Sequence, residues 1–320
     1  MNVLRSKSLT KQQDVYVPRK EPLRKRMARF RIFYVATIPI LIWFFIFRYY
    51  PILLQFVLAF TDFRLRSGIW GSEFVGFTNY VEVFTNPDIF RVIINSVRIS
   101  LLRIIVGFPF PVILAILLFD LQRTWLRKIS QTILYIPHFF SWVIIYGIAF
   151  MMFSSQGFVN QIIQLLGGSS INFMNSIQWF LPLVIGTGIW RSLGWNTIIY
   201  MAALSSISPE LYEAARIDGA GPLQRMRYIT FPSLKFVMVF LFTLSLGGIL
   251  HAGGEQLLLF YSPATLSVGD IIDTWVVRNG LGRFMYSLAS AVTLFQSITG
   301  LILVLVFNKL ATKFAGTSIW

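Results

Sequence analysis

Six long apolar runs constrain this chain more than anything else in it: Ile32–Phe60, Val92–Phe119, Thr132–Phe153, Trp179–Ser206, Leu234–Leu250 and Tyr286–Phe307. A helix needs about 20 mostly apolar residues to cross a bilayer, and lipid offers no partner to an unpaired backbone N–H or C=O. The runs therefore predict an all-α integral membrane protein with six transmembrane helices. Composition agrees, with 56% hydrophobic and only 13% charged residues, against about 25% charged in soluble domains. The first run would reach about 43 Å at ~1.5 Å per residue, more than a hydrocarbon core of roughly 30 Å. It must tilt or break, and Pro39 and Pro51 are the expected places. Gly107, Pro109 and Pro111 predict a bend in the second run.

The net charge of +15 raises the question of nucleic acid, and its distribution argues against it. Ten Lys and Arg lie in residues 1–31, directly before the first apolar run, and no basic-aromatic reading surface follows. With six spans both termini share one side. Nineteen of the 28 Lys and Arg fall in tails and loops on that side and five on the other. Four (Arg48, Arg98, Arg103, Arg191) fall inside the runs. This asymmetry places both termini in the cytoplasm and attracts the tail to anionic lipid. Residues 1–31 read as a disordered tail with a short interfacial helix near residues 23–31, not as a cleavable signal peptide. A membrane domain then occupies residues 32–308, and 309–320 form a second cytoplasmic tail. Cys is absent and there are two His, His138 and His251, so thiolate catalysis and a metal site are not expected. Both His read as structural.

The loop 207–233 is the most polar segment of the second half, and it falls on the cytoplasmic side. Ser208-Pro209-Glu210 is a helix start: a capping hydroxyl, a proline suited to the first position and an acid for the dipole. Asp218-Gly219 stops that helix, with Gly219 suited to a left-handed turn. Gly221-Pro222 starts a second short helix and Pro232 ends it. Ala214 and Ala215 form a small-residue face that another surface can approach closely. Leu211, Tyr212, Ile217, Leu223 and Met226 are apolar where water is expected, which predicts docking to another protein. On spacing alone, a helical hairpin lying on the membrane surface fits equally well.

Glu213-Ala214-Ala215-x-x-Asp218-Gly219-Ala220, with Ile229 and Pro232 downstream, resembles the EAA loop of permease subunits in binding-protein-dependent ABC importers. Met226 stands where that family often has an aromatic residue. Tyr49-Tyr50-Pro51, Val75–Tyr80, Tyr135–Trp142, Trp190–Trp195 and Glu255–Leu259 resemble the family's oligosaccharide branch. The resemblance implies the type I ABC importer permease fold and a bacterial cytoplasmic (inner) membrane location. It implies a second homologous permease, two ATP-binding subunits and an extracytoplasmic binding protein that faces the outer loops Thr61–Arg91 and His251–Met285. It implies no catalysis and no cofactor in this chain, with ATP and Mg bound by the partner subunits; the chain has no G-x-x-x-x-G-K-[ST] phosphate loop. By the same resemblance Glu213 is the polar contact to the ATP-binding subunit, Ala214 and Ala215 the packing surface, and Gly219 the elbow.

Charged residues inside spans are candidates for function. Arg191 lies near the middle of its run, bracketed by Trp190, Trp195 and Asn196, and aromatic faces with amides suit a sugar. Arg191, Arg98 and Arg103 would complement an acidic saccharide; a structural ion pair for Arg191 is the alternative. Glu255 and Gln256, beside two glycine pairs (Gly247-Gly248 and Gly253-Gly254), are candidates to line or gate the outer end of the path, with a packing break as the alternative. A stand-alone secondary transporter would call for acidic residues within the spans, and a membrane enzyme for convergent carboxylates or a metal site. The sequence offers neither.

Overall fold

The computed structural model describes residues 27–316, so most of the N-terminal tail, including the start of the interfacial helix expected at residues 23–31, lies outside the described residues. The chain divides into two compact units, residues 1–53 and 54–320.

Helix α1, Arg31–Ala59, leads from the first unit into the second. It does not break at Pro39 or Pro51. Instead Phe45–Tyr49 forms a π-turn, in which the Tyr50 N–H donates to the Phe45 carbonyl. Proline lacks an N–H and clashes with the carbonyl four residues back. A turn widened by one residue just before it relieves that clash.

The second unit begins with a small antiparallel pair, β1 (Thr61–Asp62) and β2 (Glu73–Phe74), with Thr61 opposite Phe74. Asn79, at the start of α2 (Thr78–Thr85), ties this pair to the helix end by donating to the carbonyls of Ala59 and Thr61. Helix α3, Pro87–Asp120, is interrupted for one residue at Phe108, between Pro87–Gly107 and Pro109–Asp120, where the sequence predicted a bend; the Asn86 side chain caps the Asp88 N–H. The third apolar run is divided. Amphipathic α4 (Thr124–Tyr135) gives way to a 3₁₀ turn containing Pro137, and α5 (Trp142–Phe153) starts afresh with Ser141 capping the Ile144 N–H. Thus the span expected at 132–153 is a break flanked by two helices. Short α6 (Phe158–Leu165) follows, and buried Asn160 pins its loop by bonds to Ser154 and Ile171. Helix α7 is Ile177–Ser205, α8 is Pro209–Ile217 and α9 is Pro222–Gly247.

Pro232 does not end a separate short helix, as the sequence led us to expect. The π-turn Met226–Thr230 precedes it, with the Phe231 N–H donating to the Met226 carbonyl, and α9 runs through. The device is the one used at Pro51.

Residues 251–285 were expected to be an outer loop. They form short, partly buried helices: α10 (Gly254–Phe260), a turn at Leu266–Gly269, and α11 (Ile272–Trp275) leading into a π-turn at Val276–Leu281. The reason lies on α3. Asn95 donates to the carbonyls of Ser267 and Asp270, and the Ser96 hydroxyl accepts the Ile272 N–H, so the entering backbone finds partners away from water. Asp270 is fully enclosed and accepts from Arg278 and Thr274. This is why Asn95 and Ser96 sit buried in one half of α3. The last helix, α12, is Tyr286–Ala315, so it extends past the expected end of the sixth run into the tail.

Three cores result. One gathers Phe180–Ile185 of α7 with Ile99, Leu257, Phe260 and Ile271. A second joins Ile89 and Val92 to Ile272, Trp275, Leu288 and Val292. The third sets Val112, Ala115 and Ile116 of α3 against Tyr200, Leu204 and Leu234, with Ile207 and Met226 packed on it. It forms the floor beneath α8.

Among the described residues, five helical segments are long and apolar enough to cross a membrane: Arg31–Ala59, Pro87–Asp120, Trp142–Leu165 (α5 and α6 together), Pro222–Gly247 and Tyr286–Lys313. Helix α7 has the length, at 29 residues, but not the apolarity. Gln178, Thr187, Arg191, Ser192, Asn196 and Thr197 interrupt it.

Candidate functional site

Two sites deserve separate construction, the elbow around α8 and a cavity between helices.

At the elbow, the Ser208 hydroxyl caps the Glu210 N–H at 3.3 Å. The helix ends in a left-handed stop: Gly219 has φ +78, its N–H donates to the Arg216 carbonyl, and the Ala220 N–H reaches back to Ala215 at 2.8 Å. This is the two-bond closure that favours glycine at a helix C-terminus. The next helix opens with a back-bond, the Gly221 N–H donating to Gln224 Oε1 at 2.8 Å. Local hydrogen bonds thus close one helix and open the next across the elbow.

Glu213, Ala214, Asp218 and Gly219 are exposed, while Ala215 and Ala220 are half-buried. Leu211, Ile217 and Leu223 are exposed too, and Ile217 is 87% exposed. Tyr212 and Met226, grouped with them from sequence, turn inward instead. The Tyr212 hydroxyl lies 3.0 Å from buried Thr230 on α9, and its ring packs near Phe119 at the end of α3. These inward residues fasten α8 to two long helices. A movement imposed on its outer face therefore reaches α3 and α9 through packed side chains.

The cavity encloses about 540 Å³ and is lined from α3, α5, α7 and α9. Its α7 wall is Gly188, Ser192, Asn196 and Ile199, and its α3 wall includes Arg103, Gly107 and Pro111. Both sets follow the three-to-four-residue spacing of one helix face. Arg103 lies near the middle of α3, and Ser192 near the middle of α7.

The residues proposed from sequence for a path do not stay together. Asn196 lines this cavity. Trp190 lines a different, almost wholly apolar cavity of about 470 Å³ between α5 and α7. Trp195 stacks flat on His138, 4.2 Å between centroids. Arg191 donates to the Phe140 carbonyl at 3.1 Å and sits 4.6 Å from the centre of the Trp142 ring. It closes the break between α4 and α5. Glu255 is exposed and does not line the cavity, whereas its neighbour Gln256 is fully buried. Sequence neighbours of Arg191 were the wrong set to group, because residues one apart on a helix point in different directions. The i, i+4 partners of Gly188 would have found Ser192 and Asn196. Arg103, one of the span arginines already named from the sequence, lines the cavity with them, and Trp142 enters only through folding.

Gln256, which does not itself line the cavity, holds the lining residue Arg103. Its amide donates to the Val184 carbonyl (2.8 Å) and Thr187 (2.9 Å), and its oxygen accepts from Arg103. Gly253, left-handed at φ +85, backs directly onto the Arg103 guanidinium, so that a methyl group there would overlap it. Nearby, His251 and Asp273 share Gln296, whose amide lies 3.0 Å from each and also donates to the Leu250 carbonyl. The Asp273 carboxylate, 3.8 Å away, holds His251 above its ordinary pKa. Burial alone would raise Asp273, but the nearby His251 and the bond from Gln296 outweigh that and hold it below the usual carboxylate range. His251, read from sequence as having no carboxylate nearby, has one 22 residues on that the fold returns to it.

Long apolar helices, a polar elbow between two of them and a mid-helix cavity suit a permease, and the family comparison agrees. Residues 107–315 match the model of the binding-protein-dependent transport system inner membrane component, and the chain belongs to that family. Among curated relatives, the chain is 38% identical to the polygalacturonan/rhamnogalacturonan transport system permease protein YteP of Bacillus subtilis (strain 168), over 96% of this chain and 97% of that protein. It is 39% identical to protein LplB of the same organism, over 88% of each. Among solved structures, it resembles a chain of a bacterial ABC transporter involved in import of the acidic polysaccharide alginate. The TM-score is 0.83 at 34% identity, covering 91% of this chain and 99% of that one. A second structure of a bacterial alginate ABC transporter, in complex with alginate pentasaccharide-bound periplasmic protein, gives 0.84 at 33% identity, covering 93% and 99%.

Proposed function

We propose that this chain is one transmembrane subunit of an ATP-driven importer that moves an oligosaccharide, and that the oligosaccharide is acidic. In this reading α7 is the remaining membrane crossing, making six, with both termini and α8 in the cytoplasm. A binding protein delivers cargo from outside. Two ATP-binding subunits grip α8 through Glu213, Ala214 and Ala215, with Asp218, Gly219 and Ala220 fixing the elbow, and a second, homologous permease completes the path. The chain performs no chemistry itself; ATP and Mg belong to the partners.

The observation that carries the reading is the pairing of an outward apolar face on α8 (Leu211, Ile217) with inward anchors to α3 and α9, the same helices that wall the cavity. A grip on α8 is thereby connected to the cavity. The acidic cargo is supported by relatives whose names specify polygalacturonan, rhamnogalacturonan and alginate, together with a cavity cation that has no acid beside it among the described residues.

Purification of the tagged chain from membranes is the test. It should bring down an ATP-binding subunit and a second permease. The complex in proteoliposomes should then take up an acidic oligosaccharide only with both ATP and the binding protein present. Uptake by this chain alone, or without ATP, would refute the reading.

A further inference from the structure

Arg103 is a charged side chain at the middle of a long apolar helix, and its surroundings do not neutralise it. Among the described residues no carboxylate lies within 4 Å of it. Its one hydrogen bond goes to Gln256 Oε1, an uncharged acceptor, and its Nε is shielded from solvent with no partner. An uncompensated cation in such a place is costly, and intramembrane ionisable groups persist where something pairs with them. Arg191 offers an instructive contrast, since a carbonyl and the Trp142 ring take up its charge.

The setting holds the guanidinium rather than letting it withdraw. Gln256 is itself locked by Val184 and Thr187, and Gly253 leaves room for the head group and no more. The remaining N–H groups border a cavity of about 540 Å³ that also presents Trp142, Ser192 and Asn196. A planar fork of donors matches a carboxylate, an indole face suits the apolar face of a pyranose, and a hydroxyl and an amide suit its OH groups.

We propose that Arg103, held by Gln256, receives the carboxylate of a uronic-acid residue in transit and so makes this cavity selective for acidic over neutral saccharide. The proposal rests on the saccharide reading above and adds to it the residue that reads charge.

The complete importer complex in nanodiscs, without nucleotide or binding protein, is titrated calorimetrically with trigalacturonate and with neutral galactotriose. Trigalacturonate should bind the unmodified complex more tightly. Arg103→Gln should weaken it about ten- to hundredfold, the range of a hydrogen bond to a charged group, and leave galactotriose unchanged. Arg103→Lys should recover part of the loss and retain the salt dependence that Arg103→Gln abolishes. Ser192→Asp, which leaves Arg103 and its brace intact, should also weaken trigalacturonate selectively. Equal losses for the two sugars would overturn the proposal and leave Arg103 a brace, with the saccharide reading standing. Loss of the second permease from the Arg103→Gln complex would overturn it in favour of a carboxylate across that interface. Binding of neither sugar to the unmodified complex would defeat the saccharide reading and this proposal together.

Discussion

Gly219 allows backbone and bulk to be separated at the elbow. Its φ of +78 lies where a side chain is strained, yet nothing stands within 4 Å of the place where a Cβ would sit. A substitution there therefore costs conformation, not collision. A left-handed non-glycine residue costs about 1–2 kcal/mol, with Asn at the tolerant end and a β-branched residue at the other. The two closing bonds, from Gly219 to Arg216 and from Ala220 to Ala215, hold only in this conformation. A loss of ~1–2 kcal/mol lowers the population of the set elbow about five- to thirtyfold. The expected order of coupling, measured as saccharide taken up per ATP hydrolysed in proteoliposomes, is Gly219 > Gly219→Asn > Gly219→Ala > Gly219→Val. Asn is larger than Ala, so the ranking of these two decides the argument. Should Gly219→Asn couple worse than Gly219→Ala, volume and not φ governs the position, and the reasoning fails.

Three further outcomes follow from the same structure. Glu213→Lys reverses charge on the exposed face of α8 and should strip the ATP-binding subunits during purification while leaving the chain in the membrane; full recovery of those subunits would remove Glu213 from the docking surface. Asp270→Asn leaves Arg278 without its enclosed partner and should destabilise the permease by about 3 kcal/mol or more, read as a lower thermal midpoint. The His251–Asp273 pair has a definite sign. The raised His251 contributes stability below its unfolded value of 6.5, lost as pH rises through its folded value, and the lowered Asp273 contributes above 3.8, lost as pH falls through its folded value. Both contributions are present between those limits, so the thermal midpoint should be higher at pH 6 than at pH 8.5, and His251→Gln should flatten the difference.

What the sequence disclosed and what it hid divide along the range of the interactions involved. The caps of α8 and the left-handed Gly219 were legible because a helix end is decided by four or five adjacent residues. The passage of α1 and α9 through Pro51 and Pro232 was not. A proline read alone predicts a break, and the relief comes from a turn one residue wider just upstream. Residues 251–285 looked like a loop because their glycines and charges are visible locally, whereas the groups that satisfy them, Asn95 and Ser96, lie some 170–180 positions away on α3. The cavity failed for a related reason. Trp190, Arg191, Trp195 and Asn196 are close in sequence but on different faces of α7, and only Asn196 joins Arg103.

The polarity of α7 bears on how the protein is made. A central arginine alone carries an insertion penalty of about 2.5–3.5 kcal/mol, and Asn196, Ser192 and Gln178 add to it. On the proposed topology this segment would not partition into lipid by itself as it leaves the translocation machinery. Phe140, whose carbonyl accepts a hydrogen bond from Arg191, precedes α7 in the chain, and so does Leu134, against whose carbonyl Gly194 closes with no space for a side chain. The order of synthesis thus presents the receptor before the helix that needs it, and α7 would enter the bilayer already chaperoned by its own N-terminal neighbours.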